Sequence, residues 1–156
     1  MNYSFKIINS SAGSGKTFKL AIEFISKLLV TEDDNHFKSM LALTFTNKAS
    51  AEMKDRILSY LLDLKENRNN VIKEILLKKT SLDESYIIKR SGKILEKILY
   101  NYSNFNVITI DSFTNNIISS IDEPNNNEDS IVELDSDIYI DLAIDELISE
   151  IDDNEE

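Results

Sequence analysis

The sequence lacks several residues on which common kinds of site depend. Its 156 residues include no cysteine, no tryptophan, one proline and a single histidine, His36. Without cysteine the chain can form no disulfide scaffold, no cysteine-based zinc site and no thiol nucleophile. With one histidine, most histidine-centred catalysis is excluded as well. Any chemistry must therefore use lysine, carboxylates, hydroxyl groups and the backbone.

Long hydrophobic runs are also missing. No segment approaches the roughly 18 apolar residues that a membrane helix requires, and residues 1–4 lack the basic and then apolar start of a signal peptide. We therefore expect a cytoplasmic protein with no membrane partner. The apolar fraction of 42% is still sufficient for one globular core.

The acidic charge is confined to one end of the chain. The formal net charge is −11, but residues 1–120 hold all 17 lysines and arginines against 13 acidic residues. Residues 121–156 hold no basic residue and 15 acidic ones. The body is mildly basic and can bind nucleic acid, although so small a surplus does not by itself indicate it. The acidic end is predicted to comprise a polar linker, residues 122–130, and an amphipathic helix within residues 131–156.

Strand and helix patterns alternate in the first two thirds of the sequence, which predicts a parallel α/β sheet flanked by helices. The predicted strands cover residues 5–9, 39–44 and 106–110, and the predicted helices begin at Thr17, about Lys48 and Ser112. In the first helix, Leu20, Phe24 and Leu28 recur at helical spacing. In the second, which is predicted to end at about Leu64, Met53, Ile57, Leu61 and Leu64 lie on one face.

A helical insertion at about residues 65–102 interrupts this alternation. A short helix is predicted over residues 71–79. Ser81 and Glu84 have the spacing of a capping box, which predicts the start of a longer helix with apolar residues from Ile87 to Tyr102.

The first loop has the pattern of a phosphate-binding loop. Residues 10–17 follow a predicted strand and open a predicted helix, which is the structural context of a Walker A loop. Its glycines allow backbone N–H groups to turn toward phosphate oxygens, and a helix N-terminus attracts the same anion. Lys16 would then contact the β and γ phosphates of ATP, and Thr17 would be a ligand of Mg²⁺. Ser10 departs from the pattern, which begins with glycine.

Three segments resemble motifs of superfamily 1 DNA helicases of the UvrD/Rep type. They are residues 11–18, residues 41–57, which resemble the pattern LxxTFTNKAAxEMxxRI, and residues 107–113. They occur in the family's order and are most similar to its RecB/AddA-like branch. The resemblance implies a RecA-like P-loop NTPase fold. Residues 1–121 would form the ATP-binding subdomain, and residues 131–156 the truncated start of a helical 1B-like subdomain.

The resemblance also implies two groups of site residues, with Lys16 and Thr17 in the catalytic roles. The implied nucleotide-binding residues are Ser11, Ala12, Gly13, Ser14, Gly15, Lys16, Thr17 and Phe18. The implied DNA-binding residues are Thr44, Phe45, Thr46, Asn47, Thr109, Asp111 and Ser112. Members of the second group follow predicted strands, and parallel sheets bind ligands at the carboxyl ends of their strands. Phe45 can stack on a base there, or it can be a core aromatic residue at a strand end.

Asp111 has two functional interpretations. An apolar strand that ends in aspartate is also the pattern of a Walker B motif, in which Asp111 would coordinate Mg²⁺. The resemblance assigns Asp111 to a DNA-contacting motif instead, because the family's Walker B acid lies in a later Asp-Glu-x-x-Asp segment that this sequence does not contain.

The implied function is that of the N-terminal part of an ATP-dependent DNA helicase or helicase-nuclease, which moves on single-stranded DNA in repair and recombination. The expected cofactors are ATP and Mg²⁺. The expected partners are single-stranded DNA, a second RecA-like lobe of the same protein and a recombination complex. We expect the isolated chain to be inactive, because the family's water-positioning acid and second-lobe arginines are not among these residues.

Two alternative functions remain open from the residues. The first is a small P-loop kinase that uses Asp111 at Mg²⁺, although the chain has only Arg56, Arg68 and Arg90 and no evident arginine-rich lid. The second is a nucleotide-binding fragment with no turnover.

Overall fold

The computed structural model describes Ile7, residues 15–121 and Ile144. Several predicted features therefore lie outside the described residues. They are the strand at residues 5–9, the loop residues 10–14, the linker 122–130 and the helix within 131–156. The backbone divides into two units, residues 1–120 and 121–156, and the description below concerns the first.

The described part is mainly helical. In chain order its elements are α1 (Lys16–Val30), a 3₁₀-helix (His36–Ser39), β1 (Ala42–Thr44), α2 (Asn47–Lys65), α3 (Asn70–Thr80), α4 (Glu84–Tyr100), a second 3₁₀-helix (Tyr102–Asn104), β2 (Val107–Thr109) and α5 (Ile110–Ile121). Between residues 15 and 121, no helix is long and apolar enough to span a membrane.

The two strands form a small parallel sheet, as the alternating pattern predicts. Ala42 pairs with Val107 and Thr44 with Thr109, and the helices α2, α3 and α4 connect the two strands. The predicted extent and burial of the earlier strand are wrong. Only its first residue, Ser39, belongs to a 3₁₀-helix, the strand begins at Ala42, and both Leu41 and Leu43 are 45% exposed. Strand side chains project from the two faces of a sheet, so this exposure means that packing covers their face only in part.

The core lies among the helices and beside the start of β2. On α2 the predicted stripe of Met53, Ile57, Leu61 and Leu64 is buried, which confirms the helical period. It packs mainly against α4. The other large, fully buried residues of the same core are Ile25, Leu28, Leu29, Phe37, Leu76, Ile87, Ile94, Ile98 and Phe105. The Phe24 and Phe105 rings pack edge to face, with centroids 5.8 Å apart. Leu20, predicted on the apolar stripe of α1, is 48% exposed.

Two buried cations cross-link the helical layer. Lys73 on α3 donates hydrogen bonds of 2.6 Å to the side chains of Asn67 and Glu84. Arg90 on α4 is only 6% exposed and donates to the Asp34 carboxylate and the Thr31 carbonyl in the loop that follows α1. These bonds compensate the charges that burial would otherwise leave unpaired.

The predicted capping box at the start of α4 is wrong. Ser81 ends α3 in a left-handed conformation, with φ of 56°, and the N-cap residue of α4 is Asp83. Glu84 pairs with Lys73. Ser81 thus ends α3 and Glu84 forms a tertiary ion pair, so the two residues do not act together as a capping box.

Two predicted element boundaries also differ from the structure. Tyr102 lies beyond α4, in the second 3₁₀-helix, although the apolar pattern predicts it on one face of the long helix. The strand expected to end at Asp111 already ends at Thr109, and α5 begins at Ile110 rather than at Ser112.

Candidate nucleotide and DNA sites

The start of α1 has the geometry that the phosphate-loop pattern requires of Gly15. Gly15 is the N-cap residue of α1, with φ of 79° in the left-handed region that glycine adopts most readily. Its carbonyl accepts a 3.0 Å hydrogen bond from the Lys19 N–H. The loop residues Ser11 to Ser14 lie outside the described residues. The described end of the loop therefore presents a helix N-terminus, which can bind an anion.

The three implied nucleotide-binding residues on α1 differ in their surroundings. Lys16 is exposed, and Thr17 and Phe18 are half-buried. The Phe18 ring packs edge to face on Tyr60 of α2, with centroids 5.9 Å apart. Phe18 therefore has a packing role. Lys16 and Thr17 are the described residues best placed to contact a ligand that the preceding loop binds.

The implied DNA-binding residues come together at one edge of the sheet. Because β1 and β2 run parallel with Thr44 opposite Thr109, both strands end side by side. Residues 44–47 follow β1 into α2, and residues 109–112 follow β2 into α5. The two groups are far apart in the sequence, and the parallel register makes them neighbours. We call this group the carboxyl edge.

The three threonine hydroxyls at the carboxyl edge have internal partners. Thr44 Oγ1 donates to the Thr46 carbonyl at 3.1 Å. Thr46 Oγ1 accepts a 3.1 Å bond from the Ala49 N–H and so caps α2. Thr109 Oγ1 accepts from the Ser112 N–H at 3.1 Å and lies 2.8 Å from the Ser112 hydroxyl. These threonines shape the turns into the two helices.

Three other side chains at the carboxyl edge are open to solvent. The Phe45 side chain is 87% exposed, which excludes the core alternative within the described part of the chain. Asn47 and Asp111 are exposed as well. A flat ring, an amide and a carboxylate therefore stand at the edge, where a ligand can reach them.

The backbone adds an electrostatic feature to the carboxyl edge. Both α2 and α5 begin there, so the positive ends of their helix dipoles lie at the same end of the two strands. Asp111 lies in the first turn of α5, where a carboxylate complements the helix dipole. The edge can thus attract an anion such as a phosphate, and Asp111 is the acidic side chain beside it.

The two candidate sites lie against different parts of α2. Phe18, at the start of α1, packs on Tyr60. Tyr60 is about 20 Å along α2 from Asn47, at 1.5 Å per residue. Phe18 therefore packs on the second half of α2.

The arginines argue against the kinase alternative. Arg90 is buried and bonded to Asp34 and Thr31. Arg68 pairs with Glu66 two residues earlier in the chain. Arg90 is therefore not available to clamp a transferring phosphate, whereas Arg68 is exposed and its surface pair with Glu66 is weak. Sequence reasoning missed the structural role of Arg90, because its partner Asp34 lies 56 residues away and no local pattern links them.

Comparisons with known proteins agree on the family. The family model described as UvrD/REP helicase N-terminal domain matches residues 4–155. An ATP-dependent helicase/nuclease subunit from Ruminiclostridium cellulolyticum is 32% identical over 108 residues, which are 67% of this chain and 8% of that protein. The protein of the same name from Clostridium botulinum is 31% identical over 114 residues, 73% of this chain and 7% of that protein.

A shorter and more similar match comes from Natranaerobius thermophilus. The protein of the same name from that organism is 45% identical over 56 residues, which are 36% of this chain and 4% of that protein. The chain thus spans less than a tenth of the length of these relatives. No solved structure matches the chain significantly. Since the family model matches nearly all of its residues, the chain belongs to the UvrD/REP helicase N-terminal domain family.

Proposed function

We propose that this chain is the N-terminal ATP-binding part of an ATP-dependent DNA helicase or helicase-nuclease. In the complete protein it would couple ATP hydrolysis to movement on single-stranded DNA during repair and recombination in the cytoplasm. A second RecA-like lobe of the same protein and a recombination complex would be its partners. Family membership supports the helicase, and the names of the relatives support the nuclease branch.

The observation that carries the DNA part of the proposal is the parallel register at the carboxyl edge. It brings Thr44 to Asn47 beside Thr109 to Ser112, and it leaves the Phe45 ring 87% exposed. An exposed ring can stack on a base of any identity, and the helix N-termini can contact phosphates. That combination suits a motor that must bind DNA of every sequence.

The residues at the start of α1 fit Mg²⁺-bound ATP. Gly15 has the left-handed conformation of a phosphate loop, and Lys16 and Thr17 follow it in the first turn of α1. Lys16 would contact the β and γ phosphates, and the Thr17 hydroxyl would be a Mg²⁺ ligand. When bound, the ion would offset the charge that develops on the phosphates during transfer.

The role of Asp111 within this proposal is a DNA contact. Its exposed position beside the Phe45 turn and in the first turn of α5 supports that role. The resemblance supports it as well, because the family's Walker B acid lies in a later Asp-Glu-x-x-Asp segment.

Nucleotide binding and turnover should separate in this chain. The phosphate-binding residues are present, whereas the acid that positions water and the arginines of a second lobe are not among the 156 residues. We therefore expect weak binding of Mg²⁺-bound ATP and negligible hydrolysis.

The test is calorimetric titration of ATP into the chain, with phosphate release measured in parallel. Lys16→Ala should abolish nucleotide binding, and Lys19→Ala, a change of the same charge one turn later on α1, should leave it intact. Steady ATP hydrolysis that Lys16→Ala removes would contradict the expected lack of turnover. Equal nucleotide affinity in both variants would refute the nucleotide site.

A further inference from the structure

The exposed face of α4 carries three lysines in a row. Lys89, Lys93 and Lys97 recur every four residues, so successive lysines lie on the same face and about 6 Å apart along the axis. All three are exposed. We call them the α4 lysine stripe. It lies opposite the apolar face of α4 that packs in the core.

The lysines of the stripe differ from two lysines of α3 in their partners. Lys73 pairs with Glu84 at 2.6 Å, and Lys79 pairs with Glu23 at 2.9 Å. Within residues 15–121, no ion pair involves a lysine of the stripe. Like charges at this spacing repel each other and weaken a helix. The stripe therefore concentrates positive charge at a local cost in stability.

Two adjoining pockets run along the stripe. The first, of about 200 Å³, is lined by Tyr86, Lys89, Arg90 and Lys93. The second, of about 270 Å³, is lined by Asp34, Lys93, Glu96, Lys97 and Tyr100. Lys93 lines both pockets, and we call the two together the groove. The first pocket has no acidic residue in its lining, and the second has two.

A buried arginine forms part of the first pocket. The Arg90 side chain is 7% exposed, and its Nε has no hydrogen-bond partner within the described residues. The Asp34 carboxylate and the Thr31 carbonyl hold its other nitrogens. Because Asp34 compensates the charge of Arg90, the uncompensated charge of this pocket comes from Lys89 and Lys93.

Aromatic rings stand at both ends of the groove. Tyr86 is 38% exposed and Tyr100 is 80% exposed, and the two lie about 21 Å apart along α4. An exposed ring beside a row of cations is the arrangement with which proteins bind single-stranded nucleic acid, since bases stack on rings while lysines contact phosphates. An acidic polypeptide would match the lysines but would give the Tyr100 ring no stacking partner.

We propose that the α4 lysine stripe and Tyr100 form a second contact for a single DNA strand. This inference rests on the proposed function, in which the chain belongs to a protein that acts on DNA. The contact is separate from the carboxyl edge, because Tyr100 precedes the amino end of β2 whereas Phe45 follows the carboxyl end of β1. It would hold a strand by its backbone, independently of sequence.

The first experiment measures the affinity of the 156-residue chain for a fluorescent single-stranded oligonucleotide by anisotropy over a range of salt concentrations. Three lysine-to-glutamine changes in the stripe, Lys89→Gln, Lys93→Gln and Lys97→Gln, should together weaken binding about tenfold or more at low salt. The slope of log affinity against log salt should become shallower by about 2, from three lost phosphate contacts. The matched control is the triple change Lys19→Gln, Lys27→Gln and Lys78→Gln. It has the same net charge and should leave the slope nearly unchanged.

A second comparison tests the aromatic part of the site. Tyr100→Ala should weaken binding of a normal oligonucleotide several-fold more than binding of an abasic one, because only the first has bases to stack. Leu99→Ala truncates the neighbouring exposed side chain and should affect both equally. Equal effects of the two variants would overturn the role of Tyr100.

The Phe45→Ala variant separates failure of this inference from failure of the proposed function. If Phe45→Ala weakens DNA binding while the stripe variant matches its lysine control, the carboxyl edge binds DNA and the stripe inference is wrong. If the stripe variant weakens binding and Phe45→Ala does not, the stripe stands and the edge role fails. If the chain binds no DNA at low salt, both fail.

One further outcome would assign the stripe to an acidic polypeptide. Residues 121–156 carry 15 acidic residues and no basic one. The stripe variant could keep its DNA affinity while its segment 121–156 became much more sensitive to protease. We would then conclude that the lysines bind that segment. The DNA inference would then be overturned.

Discussion

The helical layer buries its apolar side chains, whereas the carboxyl edge of the sheet exposes them. In the layer formed by α1 to α4, Ile57, Leu61 and Ile94 are almost completely buried. At the edge, Phe45 is 87% exposed, and Leu43 of β1, two residues before it, is 45% exposed. One region uses its apolar residues for packing, and the other leaves them available for contact.

The difference shows where this chain derives its stability. The helices bury continuous apolar stripes against one another, and buried apolar area is the main favourable term in folding. Within residues 15–121, the sheet contributes two strands of three residues each, which form a short hydrogen-bonded ladder. We therefore expect substitutions in the layer to unfold the chain and substitutions at the edge to change binding.

The largest effect is expected from a cavity in the layer. Leu61→Ala removes a fully buried side chain between α2 and α4 and should lower the free energy of unfolding by about 2 to 5 kcal/mol. Its neighbour Leu62 is 38% exposed, so Leu62→Ala should cost much less. Urea denaturation followed by circular dichroism measures both. Equal losses would show that α2 does not pack as described.

A smaller effect is expected from the buried ion pair that ties α4 to the loop after α1. Asp34→Ala leaves Arg90 buried without its carboxylate and should cost about 3 kcal/mol. Arg90→Met should cost less, because the Asp34 side chain is 29% exposed and can be hydrated. Combining both changes should cost less than the sum of the two. Additive losses in this double-mutant cycle would mean that the pair is not coupled.

At the edge itself, the helix cap of α2 has a moderate role in stability. The Thr46 hydroxyl accepts from the Ala49 N–H at 3.1 Å, so Thr46→Ala should lower the free energy of unfolding by about 1 kcal/mol. Thr46→Ser keeps the hydroxyl and should restore most of it. A Thr46→Ser variant as unstable as Thr46→Ala would show that the cap is not the cause.

The smallest effect on stability is expected from Phe45. Because its ring is 87% exposed, Phe45→Ala should change the free energy of unfolding by less than about 0.5 kcal/mol. The same change should cost about 1 to 3 kcal/mol of single-strand binding if the ring stacks on a base. Melting temperature and DNA affinity are measured on the same preparation. A large fall in melting temperature with unchanged DNA affinity would contradict the DNA role.

Much of the helical layer could be predicted from the sequence, because the period of apolar residues is a local property. The stripe of Met53, Ile57, Leu61 and Leu64 predicted the buried face of α2 without error. The ends of elements were less predictable. Ser81 and Glu84 have the spacing of a capping box, yet Glu84 pairs with Lys73, which lies 11 residues earlier.

The burial of β1 could not be predicted either. The run Leu41, Ala42 and Leu43 is apolar, and an apolar run is the usual pattern of a strand covered on both faces. Whether such a strand is covered depends on which strands and helices lie beside it. In the described part of the chain, β1 has one neighbouring strand, and both leucines are nearly half exposed.

The residues of the candidate DNA site could be predicted from the sequence, but their spatial arrangement could not. Its members were identified because Thr44 to Asn47 and Thr109 to Ser112 resemble family motifs. Which of their side chains face solvent is a separate question. Three hydroxyls are used within the turns, and Phe45, Asn47 and Asp111 remain exposed.

The sequence alone was therefore enough to establish the family, the helices and the residues worth testing. Motifs and apolar periods depend only on residues that are close in the sequence. The tertiary structure added the relations between distant residues. It set Thr44 beside Thr109 through strand pairing, joined Arg90 to Asp34, and left the α4 lysine stripe without ion-pair partners among residues 15–121. Those relations depend on how the helices pack, because packing chooses which side of each amphipathic element is buried and which charges come within reach of each other.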